Sequence, residues 1–279
     1  MCRFVAYIGK EPVLLDGVLG KQENSLIKQS HSALEGKTGV NGDGFGIGWY
    51  NKDIQKKPAV FRSIQPAWND ENLRNLTSIV KSKCILGHVR ASTIGSVSFN
   101  NCHPFSNNHL LFVHNGTIHG FNKIKRGLIS RLSDHAYHNI KGQTDSEHFF
   151  ALVCDRLREL PRKNFIDTLA HAARDAIDII KELQQKYLGK ISYKLNIALT
   201  TGESMLLLRS CSHDFAKPIS LFLHHSTSNR IKNGEESPFY LISSEKLWGY
   251  ESNGKSWEEI PPNHFFLIDK KLNGKLVEL

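Results

Sequence analysis

The first ten residues, MCRFVAYIGK (1–10), combine a predicted β-strand with a cysteine directly behind the initiator methionine. Residues 2–8 are rich in aromatic and β-branched side chains, which favour a strand, and Gly9 and Lys10 end the apolar run. A lone cysteine in such a position is most often a small buried apolar side chain. Cys2 is also small enough for Met1 to be removed, and it would then carry a free α-amine with an ordinary pKa of about 7.7–8.0.

A cysteine at a free N-terminus holds a nucleophile and a general base on one residue, and it can attack an amide carbonyl without a histidine partner. Such an attack needs an oxyanion hole. The segment LFVHNGTIHGF (111–121) offers the side-chain amide of Asn115 and the backbone N–H of Gly116, directly after a strand predicted over residues 110–114. Asn-Gly is also the commonest signal of a hairpin turn, so the local pattern predicts a turn here. A turn at a strand end could itself present the two donors.

The elements around these segments follow the order strands, helices, strands. This order predicts a single α+β domain with two packed sheets and helices outside them. Pro161 ends one helix, and a turn near Gly202 joins two strands. The predicted strands are 2–8, 59–64, 84–90 and 110–114, a glycine-punctuated strand within 41–51, and the series that follows Gly189; the predicted helices are 25–35, one capped by Asn69, 121–132, one opened by a capping box at Thr144, and one through Ile166 and Leu183.

The segment NGDGFGIGWY (41–50) contains four glycines but does not match a phosphate-binding loop. In the G-x-G-x-x-G pattern a glycine stands three residues after the second one, whereas Ile47 stands three residues after Gly44. We therefore predict a strand whose glycines permit another backbone to approach closely.

The composition restricts the class of protein. The chain has 279 residues, a formal net charge of +9 and 40% hydrophobic residues, which fits a folded chain with a sizeable core. The basic residues are scattered and form no stripe with stacking aromatics, so nucleic-acid binding is not predicted. The five cysteines form no C-x-x-C pair, and the sequence predicts neither a signal peptide nor a membrane span. We therefore expect a cytoplasmic protein with reduced thiols.

Two charged residues at element ends are suited to a zwitterionic substrate. Arg90 follows the predicted strand 84–90 and could bind a carboxylate with two hydrogen bonds, although a surface salt bridge explains it equally well. Asp145 lies in the first turn of its helix, where capping alone accounts for it, and where it could also bind an ammonium group.

Histidines are dense from His88 to His148, but they lie on several elements and lack metal-site spacing, so no metal is predicted.

These motifs occur in an order that resembles one family. MCRF, NGDGFGIGWY, GHVRAST, NCHPF, HNG and TDSE are together similar to the class II glutamine amidotransferases, which use an N-terminal nucleophile. MCRF, NGDGFG, HVRAST and NCHPF are most similar to two stand-alone branches, the glutathione-degrading subunit of fungi and the γ-glutamyl hydrolase of ergothioneine biosynthesis.

The resemblance implies a fold and a set of roles. The fold would be an α+β, four-layer αββα N-terminal-nucleophile hydrolase sandwich, in one domain over residues 2–279 after removal of Met1, with no cofactor. The implied roles are Cys2 as nucleophile with its amine as base, Asn115 and Gly116 as oxyanion hole, Arg90 and Asp145 as contacts of the substrate α-carboxylate and α-ammonium, and Thr93 and His103 as lining of the glutamyl pocket.

The implied reaction is hydrolysis of a γ-glutamyl amide through a thioester on Cys2, with release of glutamate. Its substrate would be glutamine or a small γ-glutamyl compound such as glutathione, and the leaving group stays open. Ile94 stands where the sugar-phosphate and asparagine-forming members usually have histidine, so their contacts are not carried over. Because no second catalytic domain is evident, the protein would either be a plain hydrolase or have a separate synthase or peptidase subunit as its partner. The alternative is a catalytically silent or partner-dependent binding subunit on the same fold.

Overall fold

The computed structural model describes residues 2–35, 39–92, 95–161, 164–213, 218–226, 237–248 and 256–279. Its thirteen strands are β1 (Arg3–Leu14), β2 (Phe45–Trp49), β3 (Ala59–Ser63), β4 (Lys81–Val89), β5 (Phe105–Asn107), β6 (Leu110–Ile118), β7 (Tyr193–Thr200), β8 (Met205–Cys211), β9 (Phe222–Ser226), β10 (Phe239–Ser243), β11 (Glu258–Glu259), β12 (His264–Ile268) and β13 (Gly274–Glu278). The α-helices are α1 (Leu15–Leu19), α2 (Leu26–His31), α3 (Glu71–Ile79), α4 (Phe121–Ile129), α5 (Asp134–Asn139), α6 (Asp145–Glu159) and α7 (Phe165–Leu188).

The strands form two antiparallel sheets. The first has seven strands in the order β11-β9-β10-β1-β4-β2-β3, and the second has six in the order β13-β12-β8-β7-β6-β5. Strand β1 is central in the first sheet, because it pairs with β10 on one side and with β4 on the other. Strand β6 pairs with β5 and β7 in the second sheet.

Alternation along the strands places the two sheets face to face. Phe4 and Ala6 of β1 belong to one buried apolar cluster with Leu111 and Val113 of β6, so this cluster lies between the sheets. Val5, the residue between them, packs in a different cluster with side chains of α1 and α2. A third cluster joins the other face of the second sheet to α4, α6 and α7. The layers are therefore helix, sheet, sheet and helix, and the predicted four-layer αββα sandwich is confirmed.

The N-terminus of α6 uses only half of its predicted capping box. The Thr144 hydroxyl accepts a hydrogen bond from the backbone N–H of Glu147 at 3.2 Å. The Glu147 carboxylate does not reach back to Thr144; it accepts hydrogen bonds from the N–H groups of Lys141 and Gly142, at 2.8 and 2.6 Å. This carboxylate therefore fixes the segment that enters the helix. The helix that begins here, α6, packs on the second sheet.

Two local predictions are wrong. The N-cap of α3 is Asp70, whose carboxylate accepts from the N–H of Leu73 at 2.8 Å, whereas Asn69 belongs to the preceding 3₁₀ turn. Asn115 and Gly116 form no turn; they lie within β6, opposite Asn196 and Leu195 of β7. The neighbouring strand supplies a ladder for both residues, and this tertiary pairing overrides the local preference of Asn-Gly for a hairpin.

Gly46 of β2 is needed because other backbone lies against it, as predicted, whereas a Cβ at Gly48 would meet the side chains of Leu111 and Pro104. A Cβ at Gly46 would stand 2.2 Å from the His103 carbonyl oxygen and 3.0 Å from that of Phe61. Neither carbonyl is the end of a flexible side chain, so the clash could be relieved only by moving a strand or the segment before β5.

In the described part of the chain, no helix is long and apolar enough to cross a membrane.

We expect Gly46→Ala to lower the free energy of unfolding by roughly 1–3 kcal/mol, because the added methyl group has no space. Gly17→Ala is the matched control, since a Cβ there meets nothing within 4 Å and the residue lies in α1. The control should be neutral or stabilising by up to about 1 kcal/mol. Urea unfolding of both variants measures the difference. Equal stability of the two would contradict the close approach.

Candidate active site

Cys2 lies at the start of the central strand, against the end of β4. Its Sγ is 3.4 Å from both the carbonyl oxygen and the backbone nitrogen of Ala91. Next to it, Arg3 is paired with Val89 in the sheet. Because β1 has strand partners on both sides, the position of the thiol is set by the sheet and not by a free chain end.

The surroundings of Cys2 favour the neutral thiol. Burial is the largest influence and raises the pKa of the Cys2 thiol, and the negative charge of Asp145 acts in the same direction. The Ala91 backbone and the positive charge of Arg90 act against burial and lower this pKa. A thiol with a raised pKa needs a base before it can attack a carbonyl. Charges of both signs therefore lie close to the sulfur.

Asn115 is joined to the start of β1 through one serine. Its side-chain nitrogen is 3.4 Å from the Ser244 hydroxyl, which also accepts from the N–H of Phe4 at 3.0 Å. The side-chain oxygen of Asn115 is buried and has no hydrogen-bond partner among the described residues. Asn115 shares a face of β6 with Val113, so its amide points into the layer between the sheets, where β1 also lies.

Gly116 occupies a position that admits no side chain. A Cβ there would stand 2.0 Å from the carbonyl oxygen of Lys194 and 2.5 Å from Nε2 of His114. The same His114 nitrogen is 3.1 Å from the Lys194 carbonyl oxygen, so the histidine fills the space beside the strand. The glycine is required by this close approach of β7 and not by a turn.

Arg90 is buried, so the alternative of a surface salt bridge is wrong. The side chain is 3% exposed. Its guanidinium donates to the carbonyl oxygens of Ser96 and Gly95, at 3.2 and 3.3 Å, and to the Ser92 hydroxyl at 3.0 Å. These bonds fix the segment that follows β4. Thr93, which the sequence assigns to the same pocket, lies outside the described residues.

Asp145 connects α6 to the end of β6. One carboxylate oxygen accepts from the N–H of Ile118 at 2.8 Å, and the other accepts from the N–H of Ser146 at 2.9 Å. Asp145 is therefore more than a helix-capping residue, because it also holds the strand that carries Asn115 and Gly116. Cys2, just before β1, therefore feels the charges of Arg90, just after β4, and of Asp145, the first residue of α6.

His103 lies in a buried stack of rings. Its ring centroid is 4.2 Å from that of His88 and 4.6 Å from that of Phe105. Burial lowers the pKa of His103 well below its ordinary value, and it lowers the pKa of His88 to about 3. Both rings are therefore neutral at physiological pH. In the part of the chain that the structure describes, no three His, Cys, Asp or Glu side chains are arranged to hold a metal ion.

Three residues at the site were missed by sequence analysis, namely Arg3, Ser244 and Glu245. Arg3 and Glu245 form a buried ion pair, with Nε 2.6 Å from Oε1 and side chains 3% and 2% exposed. The only signal in the sequence was a charged residue inside an otherwise apolar predicted strand. Its partner could not be inferred, because the two residues are 242 positions apart.

Comparison of the chain with known protein families finds one that matches. Residues 22–221 match the family model described as glutamine amidotransferases class-II. The chain belongs to the class II glutamine amidotransferases. The chain is 33% identical over 296 residues to the probable glutamine amidotransferase DUG3 of Saccharomyces cerevisiae, with 97% of this chain and 82% of the yeast protein covered.

The chain is also similar to part of a hydrolase, and it shares its fold with two solved structures. Over 120 residues the amidotransferase is 34% identical to the gamma-glutamyl-hercynylcysteine sulfoxide hydrolase of Mycolicibacterium smegmatis, covering 42% of this chain and 52% of the hydrolase. A class-II domain protein of Silicibacter pomeroyi has the same fold, with a TM-score of 0.67, 24% identity and coverage of 100% and 99%. The PRPP amidotransferase of Bacillus subtilis superposes with a TM-score of 0.64 and 16% identity, covering 99% of this chain and 49% of that enzyme.

The buried histidines predict loss of stability in acid. In the unfolded chain a histidine has a pKa of about 6.5, whereas burial lowers the pKa of His88 in the folded chain to about 3. The free energy of unfolding should therefore fall as the pH falls below about 6.5, by about 2 kcal/mol per buried histidine between pH 7 and pH 5. We expect His88→Phe to make this fall shallower by about that amount.

Chemical denaturation at pH 7 and pH 5 measures the slope for wild type and variant. His171→Gln is the control, because His171 lies on the surface of α7 with its side chain 58% exposed. This variant should keep the wild-type slope. If the His88→Phe slope equals that of wild type, His88 is not neutral in the folded protein.

Proposed function

We propose that this amidotransferase hydrolyses a γ-glutamyl amide through a thioester on Cys2 and releases glutamate. The observation that carries the proposal is the position of the Cys2 thiol, held against Ala91 and close enough to one buried arginine and one buried aspartate for both charges to act on it. A thiol on which a cation and an anion both act suits a substrate whose glutamyl end is a zwitterion.

Arg90 and Asp145 would bind the two ends of that zwitterion. Arg90 would donate to the α-carboxylate, and Asp145 would accept from the α-ammonium. Both side chains are already fixed by hydrogen bonds to backbone groups, so little conformational entropy would be lost on binding. Thr93 and His103 would line the pocket around the glutamyl chain.

The first chemical step would use both groups of Cys2. Removal of Met1 exposes an α-amine with an ordinary pKa of about 7.7–8.0, and this amine would take the proton from the thiol. Burial raises the pKa of the thiol, so an adjacent base is required at neutral pH. The thiolate would attack the γ-carbonyl carbon, and the carbonyl π electrons would move onto oxygen.

The oxyanion would be held by the Asn115 amide and the Gly116 N–H. Among the described residues, the Asn115 amide donates one long hydrogen bond, of 3.4 Å to Ser244, so it can turn to a stronger acceptor. The C–N bond would then break, and the Cys2 ammonium would protonate the leaving amine. Water activated by the same amine would cleave the thioester, which releases glutamate and restores the thiol.

The substrate would be glutamine or a small γ-glutamyl compound such as glutathione. The relatives differ on this point, since one is named a probable glutamine amidotransferase and another a hydrolase of gamma-glutamyl-hercynylcysteine sulfoxide. The protein would act in the cytoplasm as one domain over residues 2–279. A separate synthase or peptidase subunit would use the released product.

The experiment that tests the proposal is glutamate release from glutamine, glutathione and other γ-glutamyl amides, with wild type and Cys2→Ala compared. We expect release from at least one substrate and its loss in the variant, together with an intact mass that lacks Met1. If the protein retains Met1 and releases no glutamate, it is the silent binding subunit. If the Cys2→Ala variant releases glutamate as fast as wild type, the enzyme uses another nucleophile.

The oxyanion role makes a separate prediction. Asn115→Ala should lower kcat for glutamate release by about 10²–10³, because one of two donors is removed, while KM changes little. Asn115→Asp is the matched variant, since it keeps the size of the side chain but supplies no amide donor. A kcat above about a tenth of wild type in either variant contradicts the role.

A further inference from the structure

The guanidinium of Arg3 contacts the backbone of the residue that precedes it. Its Nη1 donates to the carbonyl oxygen of Cys2 at 3.0 Å. The Nε of the same side chain donates to the Glu245 carboxylate at 2.6 Å. Arg3 therefore holds the Cys2–Arg3 peptide plane with one nitrogen and is itself held in place by a buried anion.

Glu245 is fixed on several sides. Its carboxylate accepts from the N–H groups of Leu34 and Glu35 at 3.1 and 2.9 Å, and from the side-chain amide of Asn24 at 3.3 Å. Its relative exposure is 1%. The anion that orients Arg3 is thus anchored to the segment after α2 as well as to β1.

An N-terminal residue needs such support more than an internal one. Once Met1 is removed, no preceding residue restrains the α-amine of Cys2. Besides any hydrogen bonds of the amine itself, the Cys2 carbonyl and the contacts of the thiol then place the two reactive groups. Arg3 holds the carbonyl, and Ala91 holds the thiol. Restraint at these two points limits rotation about the Cα–C bond, which sets where both reactive groups lie.

We propose that Arg3 and Glu245 are positioning residues, which hold the backbone of Cys2 so that its amine and thiol stand in reacting geometry. The proposal rests on the proposed function, in which Cys2 is the nucleophile. A role in stability alone explains the pair less well, because a buried ion pair is often no more stabilising than apolar residues of the same size. The direct bond to the Cys2 carbonyl gives the pair a specific task.

The test compares Arg3→Lys and Glu245→Gln. Lysine keeps the charge but lacks the planar fork that reaches Cys2 and Glu245 together, and glutamine keeps the size but loses the charge. We expect kcat to fall about 10- to 100-fold in each, because misplacement of reacting groups has effects of that size, with KM nearly unchanged. The double variant should lose about as much as either single variant, since the two residues act as one unit.

A second measurement is independent of substrate. Iodoacetamide alkylation of Cys2, followed by peptide mapping over a range of pH, reports whether the amine still takes the thiol proton. We expect both variants to react at least about threefold more slowly at pH 7, with the pH profile displaced upward. Intact mass is checked first, so that only protein without Met1 is compared.

Arg209→Lys is the matched control. Arg209 is also a buried arginine paired with a glutamate, with its Nη2 2.7 Å from Glu259, but it bonds the carbonyls of Ile219 and Ile260 and not that of Cys2. It should lose stability and leave kcat and the alkylation rate unchanged. Unchanged alkylation in Arg3→Lys and Glu245→Gln, or an equal loss in Arg209→Lys, would overturn the proposal. Failure of the proposed function is recognised separately, as absence of glutamate release by wild type.

Discussion

Pairing of β1 on both sides is the constraint on which the site depends. A chain terminus is ordinarily the least ordered part of a domain, because nothing restrains it from one direction. Here the first strand is inserted between β10 and β4; register with β4 holds the strand from Arg3 onward, and register with β10 holds it from Val5 onward. Cys2 is therefore presented by the middle of a sheet, which is among the most rigid places that a protein offers.

The polar residues of the site lie where the apolar layer between the sheets ends. Along β6, Leu111 and Val113 belong to the inter-sheet core, and Asn115 continues the same face beyond it. Along β4, Leu86 belongs to that core, and Arg90 follows the strand. The apolar part of each strand supplies the packing that orders its polar end.

Burial leaves some ionisable residues of this region paired as ions and keeps others neutral. Arg3 and Glu245 remain an ion pair because each supplies hydrogen bonds that the other, or nearby backbone, requires. Among the described residues, the ring nitrogens of His88 and His103 have no hydrogen-bond partner, and burial keeps both rings neutral. The thiol of Cys2 resembles the histidines, because burial raises its pKa and favours its neutral form.

The sequence by itself determined the layers and the family, because both depend on local patterns. Aromatic and β-branched residues marked β1, the Thr144 hydroxyl caps α6 as predicted, and ordered motifs indicated an N-terminal nucleophile. Tertiary structure decided whether Asn115-Gly116 would be turn or strand, because the ladder that settles it comes from β7. It also decided the partner of Arg3, which lies 242 residues away, and the neutral state of His103. Pairing across the chain and removal of water are properties of the folded whole, so no short stretch of residues encodes them.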